Sequence, residues 1–124
     1  MHQIYLGCSL KLSAKEVLGY FDIDYDDPDL RSRFDRVFGS GYIEPGSFEV
    51  YEASHFPGKE FNHDLIKKMM PFEPDPDILS LIDVSVVKSV FYIESEGVRC
   101  TEDENIRLFG PFKIERFDYE ENHR

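Results

Sequence analysis

The 124-residue chain has no tryptophan, only two cysteines and no long apolar run. No stretch approaches the roughly 18 apolar residues that a membrane-spanning helix needs, and the N-terminus has no signal-like segment. Cys8 and Cys100 do not lie in a paired metal-binding or redox spacing. These absences predict a cytoplasmic protein in which both thiols are reduced and buried.

Basic residues are scarce as well. The chain has 14 Lys and Arg against 25 Asp and Glu, which gives a net charge of −11. Because phosphate groups are bound by clustered Lys and Arg, this balance disfavours nucleic acid or an anionic membrane as a partner. It fits a basic protein partner, and it equally fits a protein that is acidic only for solubility.

Catalytic motifs are also missing. The four histidines are scattered, and neither cysteine stands in a nucleophile motif. The glycine-containing stretch "FGSGYIEPG" lacks the lysine and the following helix of a phosphate-binding loop. The sequence therefore predicts a protein that is not an enzyme, with no cofactor and no small-molecule substrate.

The residues that are present are sufficient for one folded domain. The apolar fraction is 41%, and eleven Phe and seven Tyr make the chain 15% aromatic. A chain of this length buries roughly two thirds of its unfolded surface, so a single core suffices. We expect one domain over residues 1–124 with a Phe-rich core and a C-terminal tail that frays from about residue 120.

Two elements are predicted near the N-terminus. The stretch "QIYLGCSL" (Gln3–Leu10) has the composition of a buried strand. Ser13 and Glu16 in "SAKE" form a capping-box pattern, which predicts a helix over Ala14–Phe21. Helical spacing places three apolar side chains on the inner face of this helix: Val17, Leu18 and Phe21.

Pro28 and Asp29 precede a second helical pattern, "DLRSRFDRVFG", with Gly39 as its stop. Its predicted core stripe is Leu30, Phe34, Val37 and Phe38. Further along, Ser47–Glu52 is expected to be extended. Two more short helices are predicted, "HDLIKKMM" capped by Asn62 and "ILSLID" capped by Asp77.

The second half of the chain contains two strand patterns. Val84–Glu94 is dense in β-branched and aromatic residues. "NIRLFGPFKIERFDY" alternates apolar and polar residues around Gly110-Pro111, which predicts a final strand with a bulge or bend at that pair. Together these elements predict an α+β fold with a small, mostly antiparallel sheet and three to four short helices packed on one face.

An acidic run, "DIDYDDPD", covers Asp22–Asp29. Its first, third and fifth positions match the ligands of a calcium loop, but the sixth is Asp27 instead of Gly and the twelfth is Arg33 instead of Glu. A cation in place of the closing carboxylate repels the ion, so we predict no metal site.

Recognition of a partner is the interpretation that the acidic and aromatic residues favour. Flat aromatic side chains supply contact area in protein interfaces, and carboxylates pair with Arg and Lys. The alternative is that Phe48 and Tyr51 belong to the core and that the carboxylates are only solvated. The predicted partner-binding residues are Asp24, Tyr25, Asp26, Asp27, Asp29, Tyr42, Glu44, Glu49, Tyr51 and Glu52.

The order of these pieces resembles a known family. "IYLGCSLKLSAKEVLGYFDIDYD", "SRFDRVFGSGYIEPGSFEVY" and "NIRLFGPFKIERFDY" are similar to the opening, the middle and the terminal strand of the immunity protein 22 family. This family belongs to bacterial polymorphic toxin systems of the contact-dependent growth inhibition type. The resemblance implies a cytoplasmic immunity protein that binds and occludes a cognate toxin domain, commonly a basic nuclease.

Two other functions stay open on the sequence alone. The chain has enough apolar residues to serve as a structural or adaptor subunit of a larger assembly. It also has enough carboxylates for an unrecognised metal-dependent enzyme site.

Overall fold

The computed structural model describes residues 3–113, which form one four-stranded antiparallel sheet. The order of the strands across the sheet is β2-β3-β1-β4, so the first strand of the chain lies in the interior of the sheet. The strands are β1 (Gln3–Ser9), β2 (Phe48–Glu52), β3 (Ser89–Ser95) and β4 (Arg107–Lys113). The predicted fraying tail, and the part of the last predicted strand beyond Lys113, lie outside the described residues.

Four short α-helices and three 3-10 turns connect the strands. The helices are α1 (Ala14–Gly19), α2 (Arg33–Phe38), α3 (His63–Met69) and α4 (Pro76–Leu79). The 3-10 turns lie at Pro45–Ser47, Ala53–His55 and Pro57–Lys59. The predicted α+β class, the antiparallel sheet and the number of helices are confirmed.

The helices pack on both faces of the sheet, so the predicted packing on one face is wrong. Side chains alternate along a strand, and in β1 both sets are buried. Tyr5 faces a cluster that contains Val17 of α1 and Phe34 of α2. Leu6 faces the opposite cluster, which contains residues of α3 and α4. A second layer of helices is needed because β1 is apolar on both faces.

The α1/α2 face holds an aromatic core around Phe34. The ring centroid of Phe34 lies 4.7 Å from that of Phe21 and 4.5 Å from that of Phe38. Its ring also meets Phe91 of β3 edge-on at 6.4 Å. Gly7 of β1 pairs with Phe91, and a Cβ atom at this position would overlap the Phe91 ring. The aromatic packing therefore requires glycine at position 7.

Side-chain caps set the starts of the helices. The Ser13 hydroxyl accepts from Glu16 N at 3.2 Å, and the Glu16 carboxylate accepts from Ser13 N at 3.1 Å, so the capping box is confirmed. The helix that it starts is shorter than predicted, and Leu18, which we expected to be buried, is 42% exposed. Asn62 caps α3 as predicted. The cap of α4 is Asp75, two residues before the predicted Asp77.

The second helix starts later than the sequence predicts. Ser32 is its N-cap and accepts from Asp35 N at 3.1 Å, so α2 begins at Arg33. Gly39 ends it in the left-handed conformation, with φ at 67°, as expected. Leu30 was predicted to belong to the core stripe. It instead lies in a turn, since its N–H donates to Asp27 O and its φ is 53°, and its side chain is 53% exposed.

β3 begins at Ser89 and not at Val84. The carboxylate of Asp83 accepts from Ser85 N at 3.1 Å, and Val87 N donates to Asp83 O, so this segment forms a turn. The β-branched composition is the same in the turn and in the strand, and it did not reveal the boundary. The bend predicted at Gly110-Pro111 is confirmed, because the β1–β4 register shifts between Ile4 and Leu6 opposite this pair.

The two cysteines have different environments. Cys8 is buried, as expected, whereas Cys100 is exposed, so a buried role for both thiols is wrong. In the described range, no helix combines the length and the apolar character needed to cross a membrane.

Candidate functional site

The acidic run folds into a loop built around an internal ion pair. An isolated bridge between Ile23 and Ser32 closes its base. The side chain of Asp27 is 5% exposed and accepts from Arg31 at three atoms: N at 3.0 Å, Nε at 2.9 Å and Nη2 at 3.4 Å. It also accepts from Asp29 N at 3.4 Å. The hydrogen bonds from Arg31 are the main cause that lowers the pKa of Asp27, so this carboxylate is charged at neutral pH.

The structure therefore changes the role predicted for Asp27. Its carboxylate organises the loop and is not presented on the surface. Asp24 is also engaged, since its Oδ2 lies 3.1 Å from Arg36 Nη2. Asp29 lies farther from a cation, at 3.9 Å from Arg31 Nε, and its side chain is 75% exposed. Asp26 is exposed and has no ion-pair partner within residues 3–113.

Four large apolar side chains project into solvent at this loop and at the segment that follows α2. Tyr25 is 81% exposed and Tyr42 is 70% exposed. Ile23 and Leu30 are exposed by 41% and 53%. A small cleft of about 90 Å³ lies between the two segments and is lined by Phe21, Ile23, Asp29, Leu30, Arg31, Ser32, Asp35, Tyr42 and Ile43.

Tyr42 also forms a wall of a second, more polar cleft of about 300 Å³, which includes Glu44 and Glu96. The exposed aromatic ring therefore stands between two depressions, each with carboxylates at its edge. We call this region the acidic–aromatic surface. It comprises residues that line the two clefts, Ile23, Asp29, Leu30, Asp35, Tyr42 and Glu44, together with the exposed loop residues Asp22, Tyr25 and Asp26.

The segment that carries Tyr42 is fixed on both sides. Asp35 Oδ1 of α2 accepts from Gly41 N at 2.9 Å, and Ser95 Oγ of β3 donates to Ser40 O at 3.0 Å. The next residue, Ile43, is buried in the α1/α2 cluster. Tyr42 is therefore held in an exposed position by its neighbours, and little ordering of the backbone is needed when a partner binds.

The remaining predicted residues lie elsewhere. Glu49 is exposed on β2 and accepts from Tyr92 Oη at 3.3 Å. Tyr51 is half-buried against the α3/α4 face, and this burial together with the Glu49 carboxylate raises its pKa. Glu52 accepts from Ala14 N at 2.8 Å and from the Ser54 hydroxyl, so it anchors the start of α1. The ten predicted residues thus do not form one site.

Sequence reasoning missed four residues of the acidic–aromatic surface: Asp22, Ile23, Leu30 and Asp35. Leu30 was assigned to a helix that starts after it. The signal that was available is the pair Ser32 and Asp35, which has the spacing of a cap and places the helix start two to three residues beyond Leu30.

The carboxylates do not gather as a metal centre. Within residues 3–113 no group of three or more His, Cys, Asp or Glu side chains is arranged to hold a metal ion. In the acidic loop the carboxylates of Asp24 and Asp27 face arginine side chains instead.

Comparisons with protein-family models, with curated proteins and with solved structures found no match. The similarity to the immunity protein 22 family therefore stays a prediction from the sequence motifs.

Proposed function

We propose that this protein is a cytoplasmic, toxin-neutralising immunity protein that binds a basic toxin domain of the nuclease type. Two arguments support the proposal. One is the resemblance of the sequence motifs to an immunity protein family. The other is the acidic–aromatic surface of a chain whose net charge is −11.

The observation that carries the proposal is the exposure of two tyrosines near carboxylates: Tyr25 lies between Asp24 and Asp26 in the loop, and Tyr42 lines a cleft with Asp29 and Asp35. Isolated apolar side chains on a protein surface are ordinary, but here two aromatic and two aliphatic side chains border the same loop. Tyrosine is enriched at the centres of protein interfaces, where its ring is buried and its hydroxyl finds a partner. Carboxylates next to such rings pair with Arg and Lys of a basic partner.

The mechanism we propose is occlusion. Asp26, Asp29 and Glu44 would pair with cationic side chains with which a nuclease grips phosphate groups. Tyr25 and Tyr42 would anchor the complex. Because the Asp27–Arg31 pair orders the loop before binding, association does not include the conformational-entropy cost of ordering it.

The first test is whether a neighbouring gene encodes a basic toxin domain and whether this domain binds the protein, measured as association rates at increasing salt. Charge steering predicts a rate that falls steeply as salt screens the carboxylates. Tyr42→Ala should speed dissociation, and Asp26→Asn should slow association. Asp64→Asn, an exposed carboxylate on α3 on the other side of the sheet, and Leu18→Ala are the matched controls and should change neither rate.

A salt-independent association rate would remove the electrostatic part of the mechanism. Unchanged affinity in both Tyr42→Ala and Asp26→Asn would place the contact elsewhere on the molecule. Absence of binding to the neighbouring toxin domain, and of protection against it, would overturn the proposed function itself.

A further inference from the structure

A second exposed apolar region lies at a different part of the molecule, at the end of the sheet where β1 finishes and β4 begins. A cleft of about 330 Å³ opens there, and buried side chains that include Cys8, Ile82 and Phe109 form its floor. Three aliphatic side chains on its border are exposed: Leu10 by 59%, Leu81 by 58% and Val86 by 54%.

The exposure of these side chains is built into hydrogen-bonded turns. The hydroxyl of Ser9 accepts from Leu12 N at 3.0 Å and so closes the turn that carries Leu10. Leu81 N donates to Ile78 O at 3.0 Å, and Val86 N donates to Asp83 O at 3.2 Å. Because their backbones are fixed, the three side chains do not reach the core, and together they form an apolar patch beside the cleft. Contiguous patches of this kind mark interaction sites.

Charge around the cleft has an acidic surplus. The acidic residues that line it are Asp83, Glu102, Asp103 and Glu104, and the basic ones are Lys11 and Arg107. The Asp103 carboxylate is turned to the protein, since it accepts from Tyr20 Oη at 2.9 Å and from Ile106 N at 2.6 Å. Glu102 and Glu104 are exposed, and neither has an ion-pair partner within residues 3–113.

Arg107 lies against the floor of the cleft. Its guanidinium stacks on the ring of Phe109 at 4.8 Å, and it contributes an electrostatic interaction with Cys8. It is therefore a part of the wall, and although Arg107 and Glu102 form an isolated backbone bridge, Arg107 makes no ion pair with Glu102 or Glu104 within residues 3–113.

We propose that this cleft is a docking surface for a cationic amphipathic segment of a partner protein. Aliphatic side chains of the segment would enter the cleft between Leu10, Leu81 and Val86, and its Lys or Arg side chains would face Glu102 and Glu104. Such a segment places apolar and basic groups on one face, which is the pattern that this border complements. An exposed apolar patch also suits the alternative function that the sequence leaves open, an adaptor subunit of a larger assembly.

A second copy of the chain fits this surface poorly. Two molecules that each carry a net charge of −11 repel one another, and the residues that line the cleft also have a surplus of negative charge. An acidic segment would be repelled by the acidic surplus of the cleft, where four acidic residues face only Lys11 and Arg107. The cleft shares no residue with the acidic–aromatic surface, so this inference stands independently of the proposed immunity function.

The test is a titration of the isotope-labelled full chain, followed by amide NMR shifts, with a synthetic amphipathic peptide of Leu and Lys. A second peptide, with Glu in place of every Lys, is the charge control. We expect the Leu/Lys peptide to shift Leu10, Leu81, Val86 and Glu104, and the Leu/Glu peptide to shift none of them. Leu81→Ser and Glu104→Gln should each weaken the binding about tenfold, whereas Leu30→Ser, an equally exposed leucine on the other surface, should leave it unchanged.

Three results would overturn the inference. Equal binding of the Leu/Glu peptide would show that the cleft does not select cations. Shifts confined to Tyr25 and Tyr42 would place the peptide on the acidic–aromatic surface. Self-association of the unliganded chain that Leu81→Ser abolishes, measured by sedimentation velocity, would assign the cleft to a second copy. All substituted side chains are exposed, so each variant should keep its fold. The amide spectrum of each variant checks this.

Discussion

Arg31 Nε lies 2.9 Å from Asp27 Oδ2, and the same carboxylate also accepts the backbone N–H of Arg31. A run of five aspartates in eight residues therefore folds around a cation that follows it by only two positions. The pair turns a mutually repelling segment into an ordered loop, and it leaves Tyr25 and Asp26 at the exposed side of that loop. The charge that a partner meets is thus smaller than the count of carboxylates indicates.

The first prediction concerns the dependence of stability on pH. The pKa of Asp27 is lowered from its ordinary 3.8, mainly by the hydrogen bonds from Arg31, so the folded state binds this proton more weakly than the unfolded state. The resulting stabilisation is present above the ordinary pKa and is lost as the pH falls through the lowered one. In Asp27→Asn we expect a lower free energy of unfolding at pH 7 and a difference from the native chain that shrinks as the pH falls below the ordinary value. Urea unfolding across this range measures it.

Asp26→Asn is the control for this experiment, because it removes an exposed carboxylate of the same loop without breaking an ion pair with any residue from 3 to 113. If the two variants follow the same pH curve, the Asp27–Arg31 pair does not stabilise the fold.

A second prediction tests the close packing of β1 on β3. Gly7→Ala places a methyl group in the volume of the buried Phe91 ring, so the free energy of unfolding should fall by about 1–3 kcal/mol. Gly19→Ala is the matched control. Apart from its chain neighbours and the backbone of its own helix, no atom lies within 4 Å of the added Cβ at the end of α1, and the change should stabilise by about 0.4–1 kcal/mol. Equal effects of the two substitutions in denaturant titrations would contradict the packing of Gly7 on Phe91.

The aromatic core supplies the third prediction. Phe34 has no exposed surface and contacts three other phenylalanine rings, so Phe34→Ala should lower the free energy of unfolding by about 3–5 kcal/mol. Leu18→Ala truncates a side chain that is 42% exposed and should change the same quantity by less than about 0.5 kcal/mol. Chemical unfolding of both variants measures the contrast. A large effect of Leu18→Ala would show that Leu18 is buried in the core.

The fourth prediction separates the two thiols by reactivity. Burial raises the pKa of Cys8 to about 11, although Arg107 opposes the shift, whereas Cys100 is exposed. Since the thiolate is the nucleophile, iodoacetamide at neutral pH should label Cys100 and leave Cys8 unmodified until the protein is unfolded. Mass spectrometry of the digested protein identifies the labelled residue. Rapid labelling of Cys8 in the folded protein would mean that the floor of the cleft opens to solvent.

Much of the fold follows from local signals that the sequence carries openly. The capping box at Ser13 and Glu16, the stop at Gly39 and the cap at Asn62 are satisfied by hydrogen bonds within a few residues, so no tertiary information is needed to find them. β1 could likewise be predicted from its composition.

What the sequence did not reveal depends on contacts between distant segments. Helices pack on both faces because Tyr5 and Leu6, which point to opposite faces of β1, are both buried. A run of apolar residues in the sequence is compatible with such double burial but does not prove it. Leu30 was misplaced because a turn stabilised by Asp27 lies where helical spacing continues.

The candidate site was predicted only in part for the same reason. Tyr25 and Tyr42 are exposed as expected, but whether Tyr51 or Glu49 shares their surface is decided by the alternation of β2, which sends these two side chains to the other face of the sheet.

The interior position of β1 has a consequence for how the molecule assembles. The seven residues of β1 pair with segments that lie far along the chain, since Gln3 pairs with Ser95 on one side and with Lys113 on the other. Such pairings have a high contact order, and closing loops of this length is slow. Because β1 is apolar on both faces, it is fully buried only after β3, β4 and the helices of both faces have reached it, so the sheet closes around this strand late in folding.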